Sequence, residues 1–485
     1  RQIMNYSVVI YILGWIMEIE AAFLALPGIV SAIYGESGGF AFLWVALGSA
    51  VAGSMIILHK PKNMRFYLRE GFVTVALSWI LMSVIGCLPF VINGDIPHFA
   101  DALFEMISGF TTTGATVVSD VEGLTKGSLF WRSFSHWIGG MGVLVFLLAI
   151  VPMAGGSHMN LMKAESPGPS VGKLVPKVRQ TAKYLYIIYF TLTMIEVIFL
   201  LFGGMNLFEA LTTSFGTAGT GGFAIWNDGF VSVSPYNQWV VTIFMLLFGV
   251  NFGFYFLILT GKLRDALKFE EVRIYFIIVI AAAVFIFINL RHFALYAPVE
   301  GIRQAFFQVA SIITTTGFAS ADFNLWPETS RTILVLLMFI GACAGSTGGG
   351  IKVSRFIIAC KSFIKEIISY LHPRSVKKIK IEGKPLEHET LRATNVYFMT
   401  YMVIFAVSVL LVSIENKDLV TNFAAVAATF NNIGPGLSLV GPMANFGHFT
   451  DFTKYILMFD MLAGRLEIFP MLLLFCPTVW KRRRA

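Results

Sequence analysis

The sequence predicts an all-α polytopic membrane protein, and three observations predict it. Charge is scarce, apolar runs are long enough to cross a bilayer, and basic residues keep to alternate gaps between those runs. The 485 residues are 56% hydrophobic and 13% charged, where a soluble chain carries about 25% charged residues. Apolar runs lie near 5–33, 38–58, 71–93, 128–153, 182–204, 237–260, 272–295, 330–360, 395–414 and 452–480. Each meets the roughly 20 residues a spanning helix needs, which gives about ten transmembrane helices.

The gaps set the orientation. One cluster is Lys60, Lys62, Arg65 and Arg69, and a second runs from Lys163 to Lys183. A third holds Lys262, Arg264, Lys268 and Arg273, and a fourth extends from Lys352 to Arg392. Lys481, Arg482, Arg483 and Arg484 close the chain. The positive-inside rule places all of these, with Arg1, in the cytoplasm, so both termini are expected there. The net charge of +8 is then a topology signal, and no nucleic-acid partner is expected. The opposite gaps hold acids such as Glu36, Asp95, Asp101, Asp120 and Asp418. An acidic outer face would concentrate cations near an entrance, although short solvated loops carry acids in any case.

Cys87, Cys343, Cys360 and Cys476 show no ligand spacing and read as small core residues. The first apolar run is too long for a cleavable signal peptide. No polar gap is long enough to fold a nucleotide-hydrolysing domain, so energy for transport is not expected from ATP on this chain.

Alternate gaps on the outer side are only partly hydrophobic, and they repeat. Aligned on one glycine they read "FTTTG" at 110–114, "FGTAG" at 215–219, "ITTTG" at 313–317 and "FNNIG" at 430–434, about a hundred residues apart. Each follows a short amphipathic segment, "ADALFEMISG", "NLFEALTTS", "IRQAFFQVASI" or "LVTNFAAVAAT", too short to span. The unit is helix, half-helix, glycine phrase, helix, and all four copies run the same way. Two extra helices (1–68) precede the units, which are assigned to 69–180, 181–270, 271–388 and 389–485. A four-fold pseudo-axis along the membrane normal follows, with four re-entrant loops on a central pore. Non-helical backbone at membrane depth must be buried in protein or line a water-filled cavity. Rings of backbone carbonyls can replace a cation's water shell, and half-helix C-termini add partial negative charge. No carboxylate lies within the four phrases.

"TTTGAT", "GTAGTGGF", "TTTGFAS" and "NNIGPGLSLVGP" resemble the filter loops of the Trk/Ktr/HKT superfamily of potassium transporters, and the two extra N-terminal helices resemble its Trk-type branch. The resemblance implies potassium coordinated around Thr112, Thr113 and Gly114, around Thr217, Ala218 and Gly219, around Thr315, Thr316 and Gly317, and around Asn432, Ile433 and Gly434. It also implies uptake across the cytoplasmic membrane by a homodimer with a cytosolic nucleotide-binding regulatory subunit of the RCK type, TrkA-like. No cofactor on this chain is implied, and potassium is the substrate. The basic loops 163–183 and 361–392 are plausible docking surfaces for such a partner.

Two further features suggest gates. Arg465 lies within the last apolar run, where a charge costs at least ~2.5 kcal/mol and usually faces a cavity. Just below the filter it would repel a cation, and the family carries a basic residue on this helix in that role. A structural pair with Glu467 or Asp460 is the competing reading. "GACAGSTGGGIK" at 341–352 interrupts another apolar run. It is no phosphate-binding loop, since Lys352 does not directly follow a glycine and no strand precedes it. Gly345, Ser346, Thr347, Gly348, Gly349 and Gly350 would break a helix and could occlude the cavity, as the family's intramembrane loop does. Glu18, Glu20 and Glu196 are the candidates for a proton- or sodium-coupled symporter, against an expected role in inter-helix hydrogen bonding.

Overall fold

The computed structural model describes residues 4–64, 67–142, 178–372 and 378–480. Arg1, Arg65, the basic stretch through residue 177 and the tail from Lys481 lie outside the described residues. The chain is almost wholly helical, and the strands described are Lys380–Ile381 and Lys384–Pro385, an antiparallel pair.

Six described helices are long and apolar enough to span a bilayer: Tyr6–Ile33, Gly39–Leu58, Arg69–Asn93, Lys183–Phe202, Glu270–His292 and His388–Glu415. The first two form an antiparallel hairpin in which small residues let backbones approach, as a Cβ on Gly53 would stand 2.9 Å from the Gly14 carbonyl oxygen. Helical spacing then sorts each span into two faces. On Glu270–His292, Tyr275, Val279, Ala283, Ile286 and Leu290 are buried, while Ile277, Ile280, Val284 and Ile288 are exposed. The exposed face is as apolar as the core, which fits lipid rather than water as its surroundings.

Between the spans sit four short helices, Phe99–Phe110, Leu207–Gly219, Pro298–Ile313 and Leu419–Phe430. Two of them begin at loops whose polar side chains cap backbone. Asn206 and Glu209 form a capping box, and the Asp418 side chain accepts from the Thr421 amide. Glu36 likewise accepts from the amides of Lys126 (2.7 Å) and Gly127 (3.2 Å) at the start of Lys126–Met141. Several of the acids in these gaps are therefore engaged locally, which weakens their reading as a free cation trap.

Of the helices that follow the short helices, three are broken and the first is described only to its end. Lys126–Met141 ends at Gly142, with φ 73°. Pro235–Phe248 and Phe252–Leu259 meet at 88°. Glu328–Ile340 and Val353–Leu371 flank the glycine-rich stretch, and Asp451–Arg465 gives way at Glu467 and Ile468, both with positive φ. Runs expected as single helices at 237–260 and 330–360 are thus each two pieces, and that at 452–480 is three, Asp451–Arg465, Phe469–Leu474 and Pro477–Trp480.

Candidate functional site

All four short helices end in the same way. Each runs into a non-glycine residue in the left-handed region, Thr112, Thr220, Thr315 or Asn432, with φ between 54° and 60°. The next amide donates to a carbonyl five residues back, Thr113 to Ser108 (2.9 Å), Gly221 to Gly216 (2.9 Å), Thr316 to Ser311 (2.9 Å) and Ile433 to Ala428 (2.8 Å). This is the Schellman pattern, which satisfies the last helical carbonyls while turning the chain sharply out of the helix. A glycine with φ between 76° and 102° follows in every case: Gly114, Gly222, Gly317 and Gly434.

That geometry corrects the alignment of the second unit. Thr217, Ala218 and Gly219 lie in the last turn of Leu207–Gly219, and the equivalent of Thr112, Thr113 and Gly114 is Thr220, Gly221 and Gly222. Gly219 is a glycine for a different reason. A Cβ there would overlap the carbonyl oxygen of His136, so it marks close helix packing rather than a turn.

The four phrases close into a ring. A Cβ on Gly114 would overlap the Gly221 carbonyl oxygen, one on Gly222 that of Thr316, and one on Gly317 that of Ile433. A Cβ on Gly434 would lie 2.7 Å from the Thr113 carbonyl oxygen, which completes the circuit. Each glycine therefore abuts the carbonyl just before the glycine of the next unit. Thr112 Oγ1 and Asn432 Oδ1 on the ring are buried with no hydrogen-bond partner among the described residues.

A second layer lies against the ring, built where three inner helices break and Lys126–Met141 ends. Gly349 donates to Thr315 Oγ1 (2.6 Å), and a Cβ on it would stand 2.8 Å from the Asn431 carbonyl oxygen. Thr347 Oγ1 donates to the Phe248 carbonyl (3.3 Å) and the Phe252 amide to that of Gly345 (3.0 Å), which ties the glycine-rich loop to the bend of the second unit. Arg465, the last residue of its helix, donates to the Thr347 carbonyl (2.8 Å) and to those of Gly139 and Gly140. Three breaks and the end of Lys126–Met141 thus meet in one layer, with the guanidinium joining the first, third and fourth units. Neither suggested ion pair of Arg465 is the recorded one: Glu467 pairs with Arg355, and Asp460 accepts from Ser408 (2.7 Å).

Sequence reasoning missed the clamp on this loop. Glu271 Oε1 accepts from the amides of Ala344 (2.7 Å) and Ser354 (3.0 Å), one on each side of the glycines. Lys352, buried with φ 76°, donates to the Gly348 carbonyl and folds the loop on itself. Arg355 stacks 3.8 Å over the Tyr397 ring. A hydrogen bond to a charged acceptor contributes about 1 kcal/mol more than a neutral one, so Glu271→Gln should loosen the loop and raise basal ion flux about fivefold. Tracer uptake into vesicles at equal protein content checks it, and an unchanged rate would mean the clamp does not restrain the loop. Of the three membrane glutamates, Glu18 accepts from Ser54 (2.5 Å) between the first two helices. Glu20 and Glu196 are buried, Glu20 against Gly86 and Glu196 beside Thr217 of the second short helix.

The chain has close relatives of known kind. The family model for TrkH, described as a cation transport protein, matches residues 40–482. The Trk system potassium uptake protein TrkH of Escherichia coli (strain K12) is 37% identical over 490 residues, covering 99% of this chain and 100% of that protein. The Trk system potassium uptake protein TrkG of the same strain is 31% identical over 485 residues, 98% and 99% of the two chains. The crystal structure of the potassium transporter TrkH from Vibrio parahaemolyticus matches with a TM-score of 0.87 at 33% identity, over 99% of this chain and 100% of that one. A helical membrane scaffold, four equivalent phrases on one ring and near full-length identity to these proteins agree: the chain belongs to the TrkH family of cation transport proteins, and it is a multi-pass membrane transporter, not an enzyme.

Proposed function

We propose that this chain takes up potassium through the ring of Thr112–Gly114, Thr220–Gly222, Thr315–Gly317 and Asn432–Gly434, with backbone carbonyls as ligands. The single observation that carries the reading is closure of the ring, in which each filter glycine abuts a carbonyl of the next unit. Only glycine lets four backbones approach so closely at those φ values. The partial negative ends of four short helices favour a cation at the centre. The ring is chemically unequal, with Asn432 where the three other units carry threonine and Ile433 where two of them do. Its preference among alkali cations therefore comes from geometry more than from four identical loops.

Arg465 and residues 345–350 act as the gate in this reading. The relatives named as potassium uptake proteins support potassium as substrate. Their designation as a Trk system supports a regulated assembly, and we assign to it a homodimer in the cell membrane with both termini cytoplasmic. A cytosolic RCK-type regulatory subunit, TrkA-like, completes it. The unit boundaries 69–180, 181–270, 271–388 and 389–485 are part of the same proposal, as is docking on loops 163–183 and 361–392.

The test is tracer rubidium uptake by potassium-loaded vesicles containing this chain alone, with and without excess external sodium. Uptake competed by potassium and little affected by sodium supports the filter, whereas equal competition by both would sink it. Proton coupling is the rival, since Glu196 is fully buried beside the second short helix. We expect Glu196→Gln to leave uptake insensitive to an imposed pH gradient, as in the unaltered protein. A gradient-driven uptake that this substitution abolishes would favour coupling instead.

A further inference from the structure

Behind the first quarter of the ring lies a buried ion pair that the mechanism above does not use. Glu105 is on the short helix Phe99–Phe110 and Arg132 is on Lys126–Met141, with side chains 0% and 2% exposed. Among the described ion pairs it is the one with both partners fully enclosed. Arg132 Nε donates to Glu105 Oε1 at 2.8 Å. The carboxylate also accepts from Thr116 Oγ1 (2.9 and 3.1 Å) and from the Val117 amide (3.0 Å), just past the filter glycine Gly114. One carboxylate thus ties the short helix to the strand-like exit of its own phrase.

The cation reaches further, into the second unit. Arg132 donates to the carbonyl of Ala224 (3.4 Å), and its guanidinium lies 4.2 Å over the ring of Phe223. One turn along the same helix face, His136 performs the matching bond. The Phe223 amide donates to His136 Nε2 (3.2 Å), so Nε2 is the acceptor and the proton sits on Nδ1, which donates to the Gly109 carbonyl (2.7 Å). Phe223 directly follows Gly222. Arg132 and His136 together pin the exit of the second phrase to the short helix of the first.

Among the described residues no other ion pair is enclosed on both sides, although Lys454 on Asp451–Arg465 pairs with the half-buried Asp101 at the fourth–first seam. Counted back from each filter glycine, the place of Glu105 is taken by Thr213, Gln308 and Ala425. The third unit uses neutral bonds, Ser320 to Gln304 (2.5 Å) and Gln308 to Ser320 (3.3 Å). The seam between the second and third units is closed by the Phe230 amide on the Ala319 carbonyl (2.8 Å), and that between the fourth and first by the Phe446 amide on Thr116 (2.8 Å). Buried ion pairs add little stability over well-packed apolar residues, because desolvation offsets attraction. What a saturated buried pair supplies is fixed geometry. A ring that selects by geometry needs walls that do not collapse around a smaller ion.

We propose that Arg132, held by Glu105 and assisted by His136, is a specificity-determining positioning residue that sets the width of the ring at the seam between the first and second units. Arg132 acts through Phe223 and Ala224, next to Gly222, and not by touching the ion. The proposal rests on the filter reading above, because a ring that did not select ions would have no width to set.

The experiment measures potassium over sodium permeability of the full-length chain in vesicles, from the reversal potential under bi-ionic conditions. This ratio belongs to each open pathway and does not change with the amount of folded protein. Glu105→Gln and Arg132→Lys should each lower the ratio about tenfold, the size expected when a charge-assisted or forked bond becomes a weaker one. Flux per inserted molecule should hold or rise. An unchanged ratio in both, with flux falling only as folded protein falls, would overturn the proposal. Should those variants fail to insert, Phe223→Leu leaves the ion pair intact and removes only the ring beneath the guanidinium. It should lower the ratio about threefold, the scale of one cation–π contact, and a ratio equal to that of the unaltered protein would again overturn the proposal. An unaltered protein that itself fails to distinguish potassium from sodium would instead sink the filter reading, so the two failures are separable.

Discussion

Arg465→Ala is expected to conduct potassium about thirtyfold faster than the unaltered protein when no partner is present. A unit charge beside the ion's path raises a permeating cation's energy by about 2 kcal/mol at an effective dielectric of about 20, which is a factor of about 30 in rate. The geometry adds a second effect of the same sign. The guanidinium holds the Thr347 carbonyl of the glycine-rich loop and the Gly139 and Gly140 carbonyls at the end of another inner helix. Removing it frees the loop and the helix end together. Arg465→Lys separates the two effects, since an ammonium keeps the charge but cannot span three carbonyls as a planar fork does. Its flux should lie between the other two proteins. Tracer uptake that retains preference for potassium over sodium checks the result. Equal flux in all three proteins would make Arg465 a strut between helix ends and not a gate, and an unselective leak would mean that the ring itself had come apart.

Much of this arrangement was legible in the sequence because a membrane makes irregular backbone conspicuous. Threonine–glycine phrases in an apolar chain need somewhere to put their polar groups, and three of the four phrases lie on the ring where the repeat placed them. The second was misread by three residues, because "GTAGTGGF" offers glycines for two different needs. Gly219 admits the carbonyl of His136, whereas Gly222 makes the turn. Residue spacing alone cannot separate close packing from left-handed backbone. Arg465 was conspicuous as a charge in an apolar run, but its bonds to Thr347, Gly139 and Gly140 go to backbone carbonyls, which leave no trace in the side-chain pattern. The break after it falls at Glu467 and Ile468, neither a residue type that favours positive φ. Glu105, Arg132 and Glu271 passed unnoticed because each lies near the end of an apolar run or in a short amphipathic helix. A charge there reads as solvated, and only the packing of a second unit against it shows otherwise.

Gly222→Ala should reduce potassium flux by about a hundredfold, while Gly94→Ala should leave it within about twofold. The pair isolates what the ring requires, because both glycines have φ near 80°, 76° and 83° respectively. An alanine in the left-handed region costs roughly 1–2 kcal/mol at either site. At Gly94, beyond the end of an outer helix, nothing lies within 4 Å of the added carbon, so the strain stays local. At Gly222 the carbon would overlap the Thr316 carbonyl oxygen and stand 3.0 Å from the Gly317 carbonyl carbon. Those atoms are backbone and cannot swing aside, so the third phrase must move. Because each phrase abuts the next around a closed circuit, the displacement passes on to Ile433 and Thr113 rather than being absorbed. Gly219→Ala is no substitute for either protein, since its carbon would press on His136. Thermal unfolding of the two variants in detergent should differ far less than their uptake. Similar uptake from both would mean that the four phrases meet without forming the ion's path.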